Sequence, residues 1–302
     1  MIALARVRQP YGKVEKRYFK WIYLFLLPSV IVFIMFYVKP IWTMVWTSFT
    51  KWDGFNDPSF IGMKNYVRVF TNSASAISLK NLLYWSIIAM TLHAGFGVLV
   101  AFVLYHHPKG WKFCRAVFMI PNVISAAAWA LIYRFLFDDY VGLLNSAIRR
   151  IFPNFHLQWF YTSPAAFWAV TLTWLFYAVI VTMVVLQDLM AIPVSMDEAA
   201  HLDGATGWQL TRYIHLPLCR GAIGTSLLCS ITSRISMYEC IALTTGGGPG
   251  DDTMSLSVLL VRAITDYNYG FANAIGVIMF IFGLIIMAVI NKVFKMGESA
   301  LS

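Results

Sequence analysis

The feature that most constrains this sequence is a set of apolar runs, each about twenty residues long and almost free of charge. A helix needs about 20 mostly apolar residues to cross the bilayer core, whereas a soluble helix breaks its apolar residues into an amphipathic pattern. Charged residues make up only 12% of the 302 residues and apolar residues 59%. A soluble domain carries roughly 25% charged residues. The sequence therefore predicts an all-α integral membrane protein.

Six apolar runs are long enough to be predicted as membrane spans. They are Trp21 to Val38, Leu82 to Leu104, Ala116 to Phe135, Ala165 to Leu186, Gly221 to Leu243, and Ala272 to Ile290. The fifth run contains Arg234 and Glu239 together with many small or polar residues, which favours contact with protein or a cavity over contact with lipid. No internal repeat or low-complexity linker interrupts the chain, so one membrane domain is predicted.

The positive charges indicate how the spans are oriented. Six Lys or Arg residues and one Glu precede the first run within the first twenty residues, as is typical of a cytoplasmic end. Six crossings would place the C-terminus in the cytoplasm too, with 13 Lys and Arg residues inside and nine outside. The net charge of +9 is thus interpreted as an orientation signal and not as a nucleic-acid-binding patch.

These charges divide the chain into a basic cytoplasmic tail over 1–20, the membrane domain over 21–293 and a cytoplasmic C-terminal tail over 294–302. No small-residue cleavage site of a secretory signal is visible, so the first span is expected to remain as an anchor.

Cysteine and histidine spacing offers no metal or redox site. Cys114, Cys219, Cys229 and Cys240 include no CxxC pair, and all four are predicted to be free thiols. The six histidines are scattered along the chain and do not form a ligand cluster: His93, His106, His107, His156, His201 and His215. No metal site is expected.

The segment from Gln187 to Arg220, between the fourth and fifth runs, has the caps of two short helices. Ser195 and Glu198 match an S-x-x-E capping box after Pro193 and predict the start of the first helix. Gly204 is suited to a left-handed C-cap and predicts its end.

The second helix of this segment is predicted to start at once. Thr206 and Gln209 match a T-x-x-Q capping box, and the helix is expected to run to Ile214 and to end at Leu216-Pro217. Five apolar residues would be available for contact on this helix pair: Ala199, Ala200, Leu202, Ala205 and Leu210. Two interpretations stay open from the physics alone, a knob that docks into a partner protein or a helix pair lying on lipid head groups.

The same segment resembles the EAA loop of ABC importer permeases. The resemblance lies in Glu198-Ala199-Ala200, Gly204, Ile214 and Leu216-Pro217 at their spacing. The wider run EAAHLDGATGWQLTRYIHLPL is similar to the sugar-importing branch, the maltose and glycerol-phosphate type. Further matching stretches are Leu26-Leu27-Pro28, Ser48-Phe49-Thr50 with Trp52-Asp53, Phe60-Ile61-Gly62 with Asn65-Tyr66, residues 142–145 and residues 243–250. Where relatives often carry Phe-Asp, this chain has Tyr238-Glu239.

The resemblance implies a fold, a function and partners. It implies the type I ABC importer permease fold with six transmembrane helices in a bacterial cytoplasmic (inner) membrane. The chain would be one permease subunit of an ATP-driven sugar importer, with an oligosaccharide as the expected cargo. Its partners would be an extracytoplasmic solute-binding protein, two ATPase subunits and a second permease subunit. The second permease is expected to be a paralogue, although a second copy of this chain stays open.

The resemblance assigns ATPase coupling to residues of the EAA loop. They are Glu198, Ala199, Ala200, Asp203, Gly204, Ile214, Leu216 and Pro217. The chain contains no G-x-x-x-x-G-K-[ST] phosphate loop, and the run Gly246 to Gly250 lacks the required Lys. The chain is therefore expected to be no enzyme and to hold no cofactor, with ATP and Mg bound by the partner ATPase.

Five residues are candidates for the substrate path. They are Trp174, Tyr177, Arg234, Tyr238 and Glu239. Arg234 and Glu239 are the only charges deep in a predicted span and need partners there, either along a sugar path or in an ion pair at an interface. Five residues on a helix correspond to about 140° of rotation, so the two charges should not face each other. The aromatic residues could stack on a sugar, but they could equally serve packing.

Two other function classes fit the sequence less well. A secondary transporter would more often show two related halves with matched broken helices, and none is evident. A membrane enzyme would need catalytic groups converging at one membrane depth, and the sequence shows no such group.

Overall fold

The computed structural model describes residues 15–294, which are mostly helical. The two short strands, β1 (Thr50–Lys51) and β2 (Ser59–Phe60), form an antiparallel ribbon in which Thr50 pairs with Phe60. In chain order the helices are α1 (Glu15–Phe33, continued by a π-helical segment Ile34–Val38 into Lys39–Thr47), α2 (Lys64–Thr71), α3 (Ser73–Ile88, a π-helical segment Ala89–His93 and Ala94–Tyr105), α4 (Trp111–Met119 with a 3-10 turn Ile120–Val123), α5 (Ala126–Leu136), α6 (Leu143–Arg149), α7 (Ala165–Leu175), α8 (Val179–Met190), α9 (Val194–Leu202), α10 (Gly207–Leu210, a π-helical segment Thr211–His215 and Leu216–Leu218), α11 (Arg220–Ile235), α12 (Glu239–Thr244), α13 (Leu256–Thr265) and α14 (Tyr269–Phe294).

Within this part of the chain, four helical stretches are long and apolar enough to cross a membrane. They are Trp21–Thr47 in α1, Ser73–Tyr105 in α3, Ala165–Met190 across α7 and α8, and Tyr269–Phe294 in α14. Two further pairs of helices are long and apolar enough only when both members are counted together, and each pair is bent at a break. The bend is 105° between α4 and α5 and 67° between α10 and α11. The described residues therefore supply four to six spans. Most of each predicted terminal tail lies outside them.

The predicted third span, Ala116 to Phe135, is not one continuous helix. Ile124 is extended with ψ 133°, and the Ser125 side chain accepts a hydrogen bond from the Ala128 backbone N–H at 3.3 Å, which starts a new helix. The expected fifth span, Gly221 to Leu243, is likewise broken, because α11 ends at Ile235 and α12 begins at Glu239.

The bundle is built around α3, which packs against α8 and α11. Gly97 of α3 lies so close to α8 that a Cβ atom there would come within 2.6 Å of Val181. The Thr182 hydroxyl of α8 donates to the Gly97 carbonyl oxygen at 2.9 Å. Small residues that let backbones approach, with a hydroxyl bond between helices, are typical of membrane helix packing. On the far side, α14 packs against α11 and α13.

Helix α1 is much less covered than the other spans. The apolar 18-residue stretch of α1 is 0% buried, whereas 67% of the corresponding stretch across α7 and α8 is buried. Only its second half, Lys39–Thr47, packs on α14, where the Asn273 amide donates to the Thr47 hydroxyl at 2.6 Å. The first half of α1 therefore needs lipid or another chain to cover it.

Contacts of α3 define the two ends of the bundle. Near its start, the Asn81 amide donates to the backbone carbonyl oxygens of Asp252 and Met254 at 2.8 and 3.0 Å. Near its end, the Tyr105 hydroxyl contacts Asp197 of α9 at 3.3 Å. The two contacts are about 36 Å apart along a helix rising 1.5 Å per residue. Hence α9 and α10 lie at the end opposite the turn that precedes Asp252.

The end around Asp252 carries an irregular segment rich in glycine. Residues 246–250 form no regular element, and Gly246 and Gly247 have positive φ angles of 63° and 97°. The Arg262 guanidinium donates to the Gly246 carbonyl oxygen at 2.5 Å and so fixes this turn. Helix α13 follows this turn. All four cysteines are free, as predicted.

Candidate functional site

Two helix breaks meet inside the bundle and enclose a cavity. One break separates α7 from α8 and the other separates α11 from α12. The cavity between them has a volume of about 320 Å³. Its walls are Ala126, Trp129, Thr173, Trp174, Tyr177, Ser233, Arg234, Ser236, Met237, Tyr238, Glu239 and Cys240. All five residues predicted for the substrate path thus lie on one cavity. Irregular backbone at membrane depth is tolerated where it is buried in protein or lines a cavity.

The break after α7 is held by two side chains from other helices. The buried His93 of α3 has its Nδ1 atom 3.1 and 3.0 Å from the carbonyl oxygens of Trp174 and Leu175. Since both partners are acceptors, Nδ1 carries the proton and donates. The Trp129 indole of α5 donates to the Thr173 carbonyl oxygen at 2.8 Å. These bonds satisfy carbonyl groups that the end of a helix leaves open.

The second break is held from α13. The hydroxyl groups of Ser255 and Ser257 donate to the Met237 carbonyl oxygen at 3.3 and 2.9 Å. Both breaks are therefore closed by specific long-range bonds. The roles of His93 and Trp129 could not be predicted, because nothing near them in the chain indicates their partners.

Arg234 is the one positive charge on the cavity wall. Its guanidinium carbon lies 4.1 Å from the ring centroid of Trp174, a cation–π distance. Its Nη1 atom donates to the Met237 sulfur at 3.6 Å, and its buried Nε–H has no acceptor. Among the described residues no carboxylate lies within ion-pair distance of Arg234. Glu239 lies beyond the helix break, so the expected rotation of about 140° along one continuous helix does not apply.

The rest of the cavity wall combines aromatic rings with hydroxyl groups. The Tyr177 hydroxyl donates to the Asn122 side-chain oxygen at 2.8 Å, and its ring lies 5.7 Å from that of Trp129. Tyr238 and Glu239 are exposed, so they are free to contact a molecule that enters. Rings and hydroxyls of this kind can bind a polyhydroxylated molecule through stacking and exchangeable hydrogen bonds.

The second candidate region is the segment over residues 187–220, which contains α9 and α10 and which we call the coupling loop after the role that its resemblance predicts. Helix α9 ends in a Schellman motif. The Gly204 N–H donates to the His201 carbonyl oxygen at 3.0 Å, and the Ala205 N–H donates to the Ala200 carbonyl oxygen at 2.9 Å. Gly204 has a φ of +81°, as predicted for a left-handed C-cap. A Cβ atom there would contact nothing within 4 Å, so backbone conformation alone selects glycine.

One of the two predicted capping boxes is present. The Thr206 N–H donates to the Gln209 side chain at 2.7 Å and the Gln209 N–H donates to Thr206 Oγ1 at 3.4 Å, which confirms the second box. The Ser195–Glu198 box is wrong. Helix α9 begins at Val194 after an extended Pro193, so Ser195 already lies inside the helix. Helix α10 also extends past the predicted end, to Leu218.

A buried polar contact ties the two loop helices to the bundle. The Nε2 atom of His215, a fully buried side chain of α10, lies 3.1 Å from the Asp197 carboxylate of α9. The Tyr105 hydroxyl of α3 donates to the other oxygen of this carboxylate at 3.3 Å. This contact could not be predicted from the sequence, because its two residues lie 18 positions apart on separate helices, where helical spacing does not indicate a contact.

The coupling loop presents a distinct set of residues to its surroundings. Leu202 is 90% exposed, and Trp208 and Tyr213 are each 72% exposed. The expectation that Ala200 and Leu210 are available for contact is wrong, because both are buried against the bundle. Of the other predicted coupling residues, Glu198, Ala199, Asp203, Gly204 and Pro217 are exposed, whereas Ile214 and Leu216 are half-buried.

Comparison with known proteins identifies the family. Residues 93–297 match the family model described as binding-protein-dependent transport system inner membrane component. A probable ABC transporter permease protein of Bacillus subtilis (strain 168), YurN, is 30% identical over 91% of this chain and 96% of its own length. The trehalose/maltose transport system permease protein MalF of Thermococcus litoralis is 29% identical over 93% of this chain and 96% of its own.

A solved structure has the same fold. It is that of a bacterial ABC transporter involved in the import of the acidic polysaccharide alginate. One of its chains superposes with a TM-score of 0.77 at 22% identity, covering 93% of this chain and 96% of that one. Together with the family match over more than half of the sequence, these likenesses show that the chain belongs to the binding-protein-dependent transport system inner membrane components, the permease subunits of ABC transporters.

Proposed function

We propose that this chain is the transmembrane permease subunit of an ATP-driven sugar importer and that it forms half of the path for an oligosaccharide. The observation that carries the proposal is the cavity at the two helix breaks, where aromatic rings, hydroxyl groups and charges converge. The names of relatives support sugar as the cargo class, among them the trehalose/maltose permease and a multiple sugar-binding transport system permease of Streptococcus mutans. As a permease subunit the chain is a transporter component, and a partner ATPase hydrolyses ATP.

The proposed orientation places the coupling loop and both chain ends in the cytoplasm. It rests on the distribution of 13 Lys and Arg residues inside and nine outside. The turn over residues 246–250, at the opposite end of the bundle, would then face the extracytoplasmic binding protein. The membrane would be the bacterial inner membrane.

The coupling loop would receive the motion of the ATPase. Its exposed apolar side chains, Leu202, Trp208 and Tyr213, suit insertion into a cleft of an ATPase subunit. Helix α11 follows α10 after a single residue, Cys219, and its last turn carries Arg234 on the cavity wall. A helix of 16 residues is about 24 Å long. A rotation of the coupling loop would therefore be carried along α11 directly to the cavity.

The remaining partners complete the proposed assembly. Two ATPase subunits would bind one coupling loop each, and a second permease, expected to be a paralogue, would supply the other half of the path. The uncovered apolar surface of α1 supports contact with lipid and with that second permease.

Two measurements test the proposal. The purified chain alone should show no ATPase activity, since it has no phosphate-binding loop. Turnover above background in a preparation shown to be free of other proteins would contradict this. When the chain is expressed with its neighbouring genes and purified by a tag, it should bring down an ATPase. A chain that transports sugar alone in liposomes would instead be a carrier, and the proposal would be wrong.

A further inference from the structure

The cavity carries a positive charge that the described part of the chain does not neutralise. Arg234 has a cation–π contact with Trp174 and a weak bond to the Met237 sulfur, and no carboxylate within ion-pair distance. A guanidinium does not lose its proton in proteins. It must therefore meet a negative group, or remain an uncompensated charge deep in a span.

Hydrogen-bond donors are also in excess at this position. The Nε–H of Arg234 and the Nε1–H of Trp174 are both buried without an acceptor. Neither the thioether sulfur of Met237 nor the ring of Trp174 offers a strong acceptor. Arg234 lines the cavity and is half-buried, so part of its side chain is open to a molecule that enters. The cavity is thus short of a strong anionic acceptor beside Arg234.

Glu239 does not fill that role. It lines the same cavity, but it follows the helix break, is exposed and makes no ion pair with Arg234. The cavity wall also carries the rings of Trp129, Trp174 and Tyr177 and the hydroxyl groups of Ser233 and Ser236. The cavity thus combines rings that can stack on a sugar face, hydroxyl groups that can bond to sugar hydroxyls, and the Arg234 cation.

We propose that the cargo of this cavity is an anionic saccharide, one that bears a carboxylate or phosphate group, and that Arg234 selects it by binding that group. This inference rests on the proposed permease function and adds to it the charge class of the substrate. A planar guanidinium recognises carboxylate and phosphate through paired N–H donors. Stacking on Trp174 holds the guanidinium plane in place before the saccharide arrives.

The test uses Cys240, whose thiol lies on the cavity wall 3.0 Å from the Thr173 hydroxyl. In the complete importer, with Cys114, Cys219 and Cys229 replaced by Ala, the rate at which a small methanethiosulfonate reagent modifies Cys240 is measured. Three ligands are compared at equal concentration: an oligogalacturonide, the same oligomer with its carboxyl groups reduced to alcohols, and a phosphorylated disaccharide. At least one acidic ligand should slow the modification about tenfold while the reduced oligomer does not. Protection by the oligogalacturonide would identify a carboxylate as the bound group, and protection by the phosphorylated disaccharide would identify a phosphate.

Variants decide whether Arg234 is the selecting group. Protection should be lost in Arg234→Gln and only partly kept in Arg234→Lys, which retains the charge but lacks the planar pair of N–H donors. The matched control is Arg134→Gln, because Arg134 is exposed and lines a separate pocket of about 220 Å³. Equal protection by the reduced and the acidic oligomer, protection by none of the three, or acidic protection that survives Arg234→Gln would overturn the proposal. In the last two cases a carboxylate of the second permease subunit becomes the partner of Arg234. Retention of the ATPase in each purified complex is measured separately, so failure here is distinguishable from failure of the permease assignment.

Discussion

The coupling loop and the cavity differ in the range of the contacts that shape them. Within the loop, the Thr206–Gln209 box spans three residues and the Asp197–His215 contact spans 18. Around the cavity, His93 reaches 81 residues to Trp174 and Trp129 reaches 44 residues to Thr173. A single loop substitution can therefore change the docking angle with the spans intact, whereas cavity residues depend on how several helices pack. Loop variants should impair transport of every cargo, and cavity variants should impair it according to the cargo.

The largest effect is expected from Gly204→Val. A β-branched residue is strained at a φ of +81°, so the angle between α9 and α10 should change. We expect normal membrane levels, loss of sugar uptake, and an ATPase that is released or no longer stimulated by the loaded binding protein. The matched control is Gly207→Val, since Gly207 also has open space around it but no positive φ. Wild-type uptake by a well-expressed Gly204→Val variant would favour a helix pair that lies on lipid head groups, which impose no fixed docking angle.

The next effect is expected from Arg234→Ala. Removing the guanidinium leaves the buried Trp174 ring without its cation–π partner and the cavity without its positive charge. Uptake should fall about tenfold or more while membrane insertion is nearly unchanged. Glu239→Ala should lower uptake less, because its carboxylate is exposed and makes no ion pair with Arg234. Parent-level transport by both variants would remove these residues from the path and from any interface.

A smaller effect is expected from His215→Ala. Helix α9 would lose its buried contact through Asp197, at a cost of about 1–3 kcal/mol for a polar group left without its partner. Uptake should fall several-fold for every saccharide tested, and the ATPase should remain bound but be stimulated less. Asp197→Asn, which keeps the shape of the side chain, should fall between this variant and the parent. If uptake falls for only one saccharide, His215 acts like the cavity residues, and the distinction between the coupling loop and the cavity is wrong.

The same difference in range explains what the sequence could predict. Gly204 and the Thr206–Gln209 box follow local backbone rules, and both were predicted. The break at Ser125 had a local signal, a Ser before three Ala residues, but the apolar run around it concealed the cap. The Ser195 box failed because α9 already begins at Val194, directly after Pro193. The roles of His93 and Trp129 could not be predicted, because their acceptors are backbone carbonyls of a distant helix end. The apolar runs placed all five candidate path residues in predicted spans. Their meeting at one cavity depends on the packing of distant helices, which the sequence does not show.

The smallest effect is expected from Trp129→Phe, which tests whether long-range bonds at the helix break matter for transport. The substitution removes the indole bond to the Thr173 carbonyl oxygen but keeps an aromatic ring near Tyr177. A net hydrogen bond contributes about 0.5–1.5 kcal/mol, and because the aromatic packing is kept the loss should lie near the lower end of that range, so uptake should fall about two- to threefold. Because this carbonyl belongs to the cavity wall, the loss should differ between a short and a long saccharide, whereas ATPase binding should not change. Trp168→Phe is the matched control, since Trp168 is exposed and does not line the cavity. Equal losses for all saccharides, together with weaker ATPase binding, would mean that the break transmits motion and is therefore part of the coupling machinery.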